Sequence, residues 1–152
     1  MGKSISEHPN PCPVCGRYLN RPGVVDGIVE KNGKIILIKR GRAPYKGFYA
    51  IPGGFIDWDE TAEEAVIREL KEETNLNIKV KDFLNYYDSI KRDKDRRTIS
   101  LVFVCELIDE NKARAGDDAS DFKWFTINEL PELAFDHEKI INDYKNYREE
   151  KL

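Results

Sequence analysis

The most constraining feature of this sequence is a glycine-containing loop that leads directly into a glutamate-rich helix. Residues 61–74 carry Ala62, Val66 and Leu70 at intervals of four, and this spacing predicts one buried helical stripe. Thr61, followed three residues later by Glu64, predicts a capping box at the first turn. The segment is therefore expected to be a helix with a defined start and a core-facing side.

The glutamates of this helix form a pattern that suggests a metal site. Glu69, Glu72 and Glu73 stand at i, i+3 and i+4, so they share one helix face, and no Lys or Arg is expected inside the triangle. A divalent cation would relieve their repulsion, and hard oxygen ligands favour Mg²⁺ or Mn²⁺. Gly54, in the preceding loop, could add a backbone carbonyl. The alternative is a solvated helix face, with Arg68 as a simple i+4 partner of Glu72.

Together, loop and helix resemble the Nudix hydrolase box, which reads Gly, five residues, Glu, seven residues, Arg-Glu-apolar-x-Glu-Glu-x-Gly-apolar. Asn75 stands at the second glycine of that pattern and tolerates the left-handed conformation better than most residues. The resemblance implies an α/β fold, the Nudix α/β/α sandwich with a mixed β-sheet between helices. The matching residues are Gly54, Glu60, Arg68, Glu69, Leu70, Glu72, Glu73 and Leu76.

The same resemblance implies metal-dependent hydrolysis of a nucleoside diphosphate linked to another moiety. Gly54, Glu69, Glu72 and Glu73 would hold Mg²⁺, for which Mn²⁺ could substitute. Arg68 would orient a carboxylate, and Glu60 would fix the loop. The general base varies within the family and is a box glutamate or an acid of a later loop. The later candidates are Asp117, Asp118 and Asp121, of which we favour Asp118. The expected catalytic set is Glu72, Glu73, Arg68 and Asp118.

Three further stretches, residues 37–40, 48–57 and 130–137, look like the small prokaryotic ADP-ribose pyrophosphatases. That resemblance implies ADP-ribose as substrate, with AMP and ribose 5-phosphate as products. NADH, a nucleotide sugar, a noncanonical nucleoside triphosphate and a non-catalytic nucleotide-sensing module stay open as alternatives. His137 is expected to be structural rather than catalytic. The expected substrate-binding residues are Arg40, Tyr45, Phe48 and Phe135.

Residues 1–22 differ in composition from residues 23–152 and are predicted to form an N-terminal segment ahead of the hydrolase domain. Cys12 and Cys15 resemble one knuckle of a zinc ribbon, with His8 as a potential third ligand. The sequence has no second close cysteine pair, so a metal-free remnant or simple turn is the alternative to a zinc site. A segment that does bind zinc could also be a zinc-dependent nucleic-acid or partner module. Cys105, in an apolar run, is expected to be a core residue.

Composition and patterning supply the remaining expectations. The 28 acids and 25 bases nearly balance, which argues against a nucleic-acid partner, and no apolar run is long enough to span a membrane. We expect a soluble, cytoplasmic, single-domain protein that acts on a small nucleotide and forms a homodimer. Residues 91–97 are predicted to be a solvated, mobile tip. Strands are predicted at residues 24–30, 34–40, 49–51, 78–88, 98–108 and 122–126, with a helical turn at Asn128 and a helix at 137–147.

Overall fold

The computed structural model describes residues 10–109 and 121–151. Within these ranges the chain forms two helices and seven strands, close to the predicted order. The turn at residues 127–128 does not continue as a helix, and a short strand, β4, lies in the predicted loop. The elements are β1 (Gly23–Lys31), β2 (Lys34–Lys39), β3 (Tyr49–Ala50), β4 (Gly53–Phe55), α1 (Ala62–Thr74), β5 (Asn77–Tyr87), β6 (Ile99–Asp109), β7 (Phe122–Thr126) and α2 (His137–Glu150).

The strands form a mixed sheet with β1 at its centre. β1 pairs in parallel with β6 from Gly23 to Val29, and it pairs antiparallel with β2 at the hairpin and with β4 near its start. β5 lies antiparallel to β6, while β3 and β7 flank β2. The path β3-β2-β1-β6-β5, with β4 on β1 and β7 on β2, is the predicted mixed sheet.

The helices cover opposite faces of this sheet because the side chains of β1 alternate. Val25 and Val29 pack in one apolar cluster with residues of α1, whereas Ile28 belongs to a second cluster that contains residues of α2. Gly27 faces α1, and a Cβ there would lie 2.8 Å from Val66. The glycine therefore lets α1 approach the sheet closely, and the α/β/α sandwich is confirmed.

The predicted ends of α1 are also confirmed. The Thr61 side chain accepts a hydrogen bond from the Glu64 N–H, and the Glu64 carboxylate accepts one from the Thr61 N–H. Asn75 ends the helix in the left-handed conformation, with φ of 60°. The asparagine thus adopts the backbone conformation for which the family pattern has glycine.

The prediction of a solvated tip at residues 91–97 is wrong for two of its residues. Arg92 and Asp93 are 7% and 8% exposed. Arg92 donates to both carboxylate oxygens of Asp136, and Asp93 accepts from the backbone N–H groups of Asp95 and Arg96. The long-range pair of Arg92 with Asp136 and the local bonds of Asp93 thus fold this charged stretch into a wall of the cleft described below. No helix among the described residues is both long and apolar enough to cross a membrane.

Candidate active site

The loop before α1 lies against the glutamates of the helix. The Gly53 N–H donates to Glu73 Oε2 at 3.1 Å. A Cβ on Gly54 would lie 2.4 Å from Glu69 Oε1, and a Cβ on Gly53 would lie 1.9 Å from the Val25 carbonyl oxygen. Close approach of the β1 backbone therefore requires glycine at position 53, whereas a side chain at position 54 would displace the Glu69 carboxylate.

Arg68 organises the acidic side chains around it. Its guanidinium donates to both carboxylate oxygens of Glu60, to Glu69 at 2.9 Å and to Glu72 at 3.3 Å. It also donates to the Phe55 carbonyl at 2.9 Å, which ties α1 to the loop. Hydrogen bonding from Arg68 lowers the pKa of Glu60 to about 2. The expectation that no cation enters the glutamate triangle is wrong, because Arg68 bridges two of its members.

Negative charge nevertheless accumulates beyond the reach of Arg68. Burial raises the pKa of Glu73 well above its usual value, and the nearby carboxylates of Glu69, Asp26 and Glu72 raise it further. Burial also raises the pKa of Glu69. These are the electrostatic conditions under which a cation would be attracted to the site.

The donor set fits a hard divalent cation. Carboxylate oxygens on a rigid helix, beside a glycine backbone held close to them, are ligands that Mg²⁺ and Mn²⁺ prefer. In residues 10–109 and 121–151, no three Asp, Glu, His or Cys side chains converge in the arrangement of a metal site. The glutamates would reach a cation through side-chain rotation, since Glu69 and Glu72 are turned toward Arg68.

A buried polar cluster below the glutamates was missed in the sequence. Asp26 accepts a hydrogen bond from Ser100 Oγ, and His137 Nε2 lies 3.9 Å from Asp26 Oδ2. His137 is the first residue of α2 and is 3% exposed. Its position in the core agrees with the expectation that it is a structural histidine. In the sequence, the sign of this cluster was Asp26, an acid that stands within the apolar run of β1.

A cleft of about 830 Å³ extends from the glutamates to the opposite wall. Arg40 and Phe135 line it, with the Arg40 guanidinium 4.9 Å from the centre of the Phe135 ring. Tyr45 packs edge-on against Phe135 and Phe48, with ring centres 4.9 and 5.5 Å apart. The four predicted substrate-binding residues therefore form one group beside the cleft.

Other predicted site residues lie elsewhere. Cys12 and Cys15 are free thiols in a turn closed by a Gly16 N–H to Cys12 carbonyl bond, and backbone N–H groups lower the pKa of Cys12. Cys105 is buried in β6, as expected. The Asp121 carbonyl accepts from the Lys39 N–H just before β7. Asp117, Asp118 and His8 lie outside the described residues.

A protein-family model for the NUDIX domain matches residues 20–144 of this chain. This protein is a Nudix hydrolase. The match spans the glycine loop, Arg68, the three glutamates and most of α2, so the resemblance seen in the box extends to nearly the whole fold.

Relatives and solved structures agree with the family assignment. Over 131 residues this Nudix hydrolase is 52% identical to an ADP-ribose pyrophosphatase of Methanocaldococcus jannaschii, covering 86% of this chain and 77% of the relative. The fold is also similar to a cocrystal structure of the NUDIX domain of Shewanella oneidensis NrtR with ADP ribose. The two chains compare with a TM-score of 0.73 and 25% identity, over 84% of this chain and 88% of that one.

A third similar structure is a bifunctional NMN adenylyltransferase/ADP ribose pyrophosphatase from Francisella tularensis, complexed with AMP and a Mn ion. Its TM-score is 0.69 and its identity 32%, over 82% of this chain. The Nudix hydrolase spans only 41% of that bifunctional protein. The likeness therefore concerns one part of the larger chain.

Proposed function

We propose that this Nudix hydrolase cleaves ADP-ribose to AMP and ribose 5-phosphate with the help of Mg²⁺. The observation that carries the proposal is the 52% identity, over 86% of the chain, to an ADP-ribose pyrophosphatase. Structural likeness to a NUDIX domain complexed with ADP ribose, and to a protein complexed with AMP and a Mn ion, supports the same substrate class.

The cation would be held by Glu69, Glu72 and Glu73 together with the Gly54 carbonyl. When bound, it would neutralise the pyrophosphate and lower the pKa of the attacking water. Arg68 orients Glu69 and Glu72 from the side, and Glu60 fixes Arg68 through a two-point contact. Asp118 would act as the general base.

The opposite wall supplies groups suited to the rest of the substrate. Arg40 presents a guanidinium, which pairs well with phosphate oxygens, and it is fixed by donating from Nε to the Pro44 carbonyl at 2.8 Å. Phe135, with Tyr45 and Phe48 packed behind it, presents an aromatic surface suited to an adenine ring. The cleft between the two walls would then place the pyrophosphate near the glutamates.

The proposal is tested by comparing substrates in the presence of Mg²⁺. We expect the highest kcat/KM for ADP-ribose among ADP-ribose, NADH, a nucleotide sugar and an oxidised nucleoside triphosphate. Anion-exchange chromatography should show equal amounts of AMP and ribose 5-phosphate. Faster turnover of any other compound in the set would contradict the choice of substrate, and different products would contradict the cleavage position.

The zinc prediction has a separate test. Cys12 and Cys15 supply two thiols, and the described residues offer no cluster that would complete a four-ligand site. Elemental analysis of the purified protein, alongside a Cys15→Ser variant, decides between a bound zinc ion and a metal-free turn. Zinc in the parent protein but not in the variant would establish the site.

A further inference from the structure

Three consecutive residues at the start of α2 reach three different parts of the cleft. Phe135 contacts the loop between β2 and β3, Asp136 contacts the loop between β5 and β6, and His137 contacts the segment between β3 and β4. Phe135 adopts a positive φ of 52°, which for a bulky residue is rare and costly. The backbone thus accepts strain at the point from which these three contacts diverge.

The contact of His137 is a buried hydrogen bond to the main chain. The Ile51 N–H donates to His137 Nδ1 at 3.0 Å, and the two residues are 2% and 3% exposed. A ring nitrogen that accepts a hydrogen bond carries no proton, so the proton of the neutral ring is on Nε2. Nε2 lies 3.9 Å from Asp26 Oδ2, which is beyond hydrogen-bond distance, and the Asp26 carboxylate accepts from Ser100 Oγ.

The anchored backbone leads directly to the glutamates. Ile51 is followed by Pro52, whose ring fixes φ and whose carbonyl accepts from the Gly27 N–H at 2.9 Å. The next residue, Gly53, donates its N–H to Glu73. Only a short, restricted stretch of chain therefore separates the His137 contact from the carboxylate.

We propose that His137 is a positioning residue: by fixing the backbone at Ile51, it holds Gly53 where its N–H reaches Glu73. The inference rests on the proposed function in one respect, namely that the glutamates bind the cation. Without an acceptor on residue 137, the Ile51 N–H is buried without its partner, and the loop can relax away from α1. The Glu73 carboxylate then loses the N–H group that fixes its position at the proposed cation site.

Three substitutions of His137 separate its hydrogen bond from its bulk. In His137→Asn the amide group lies near the position of Nδ1 and can accept from Ile51. In His137→Gln the amide group lies near the position of Nε2, and in His137→Leu no acceptor remains. Circular dichroism identifies a temperature at which each variant is fully folded, and all measurements are made there.

The first measurement is Mn²⁺ binding without substrate, followed by the electron paramagnetic resonance signal of free Mn²⁺. We expect His137→Gln and His137→Leu to weaken the affinity about tenfold, as is usual for partners that orient metal ligands, while His137→Asn stays within about twofold of the parent protein. If His137→Leu does not fold, the contrast between Gln and Asn decides the outcome.

Asp136→Asn serves as the matched control. It weakens the bond that the residue next to His137 makes with Arg92, which lies in the loop between β5 and β6 and not in the loop that leads to Glu73. Its Mn²⁺ affinity is expected to equal that of the parent protein. Equal affinity in the parent, His137→Gln and every folded His137 variant would overturn the inference, even if their melting temperatures fall, because a merely structural role would change stability alone.

The second measurement does not depend on metal. Backbone amide hydrogen exchange at Ile51 and Gly53 should be faster in His137→Gln and unchanged in His137→Asn, and equal exchange in both would overturn the inference. Glu73→Gln in the same Mn²⁺ titration tests the proposed metal site separately. If that variant binds Mn²⁺ normally, the proposed function loses its metal site, and the exchange data alone then decide the role of His137.

Discussion

The two walls of the cleft are built in different ways. In the glutamate wall, residues 53–73, the contacts between acidic side chains and their donors are close in sequence: Arg68 and Glu60 are 8 residues apart, and Gly53 and Glu73 are 20 apart, although the chain entering this wall is bonded at Ile51 to His137, 86 residues away. The wall formed by residues 88–98 depends on distant partners, since Arg92 reaches Asp136 across 44 residues and Arg21 reaches the Arg97 carbonyl across 76. Chemistry that is local in sequence can be predicted from spacing, whereas a wall held by distant partners cannot.

The largest effect is expected where the distant contacts are broken. Arg92→Met should lower the free energy of unfolding by about 3 kcal/mol, because it leaves the Asp136 carboxylate without its buried partner. Urea denaturation measures the change. Arg96→Met is the matched control, since Arg96 lies in the same loop but is exposed, and its guanidinium lies over the face of the Phe55 ring, while its backbone N–H bond to Asp93 is kept in the variant. Equal losses in the two variants would contradict the importance of the long-range pair.

The next effect concerns the local wall and separates activity from stability. Glu73→Gln should lower kcat at least about 100-fold, because it replaces a carboxylate ligand of the proposed cation. Steady-state kinetics with ADP-ribose and Mg²⁺ measure it. Glu63→Gln, in the first turn of the same helix, should leave kcat unchanged, and a comparable loss there would point to general damage to α1.

Glu73→Gln should also stabilise the metal-free protein. Because burial raises the pKa of Glu73, the protonated carboxyl group is favoured by the folded state. The stability that this provides is fully present below the unfolded pKa of about 4.5 and is lost as the pH rises through the pKa of Glu73 in the folded protein. At pH 8 the neutral glutamine avoids this cost, so the melting temperature should rise by roughly 2–4 °C. A lower melting temperature in chelator at pH 8 would show that the buried charge is not destabilising.

A smaller loss is expected at the start of α1. Thr61→Ala removes the side chain that accepts from the Glu64 N–H, and such caps contribute about 1 kcal/mol. Urea denaturation of the variant should show this loss with an unchanged m-value. A loss as large as that of Arg92→Met would erase the distinction between the two walls.

The smallest effect is a change in acid sensitivity. Arg68 lowers the pKa of Glu60 to about 2, so this carboxylate stabilises the fold above its unfolded pKa and the contribution is lost as the pH falls from about 4.5 toward 2. Glu60→Gln should therefore flatten the dependence of the urea midpoint on pH between about 5 and 3. An unchanged slope would contradict the pairing.

Particular residues show how far the sequence could lead. Thr61, Glu64 and Asn75 predicted both ends of α1, because capping depends on residues within one turn. Arg68 was expected to orient a carboxylate, but its bridging of Glu69 and Glu72 was not expected, since helical spacing gives the face of a side chain and not its rotamer. The Arg92–Asp136 pair and the Asp26–Ser100–His137 cluster join separate elements, and no spacing in the chain reveals which buried polar groups will meet.

The arrangement of Arg68 bears on how the protein is made as well as on how it works. Because the Arg68 guanidinium is a built-in counter-ion shared by Glu60, Glu69 and Glu72, part of the charge of the acidic cluster is already offset while the chain folds. Folding and metal loading can then be separate events. A freshly synthesised molecule would reach its native structure without waiting for the proposed divalent cation, and would bind that cation afterwards according to the supply in its surroundings.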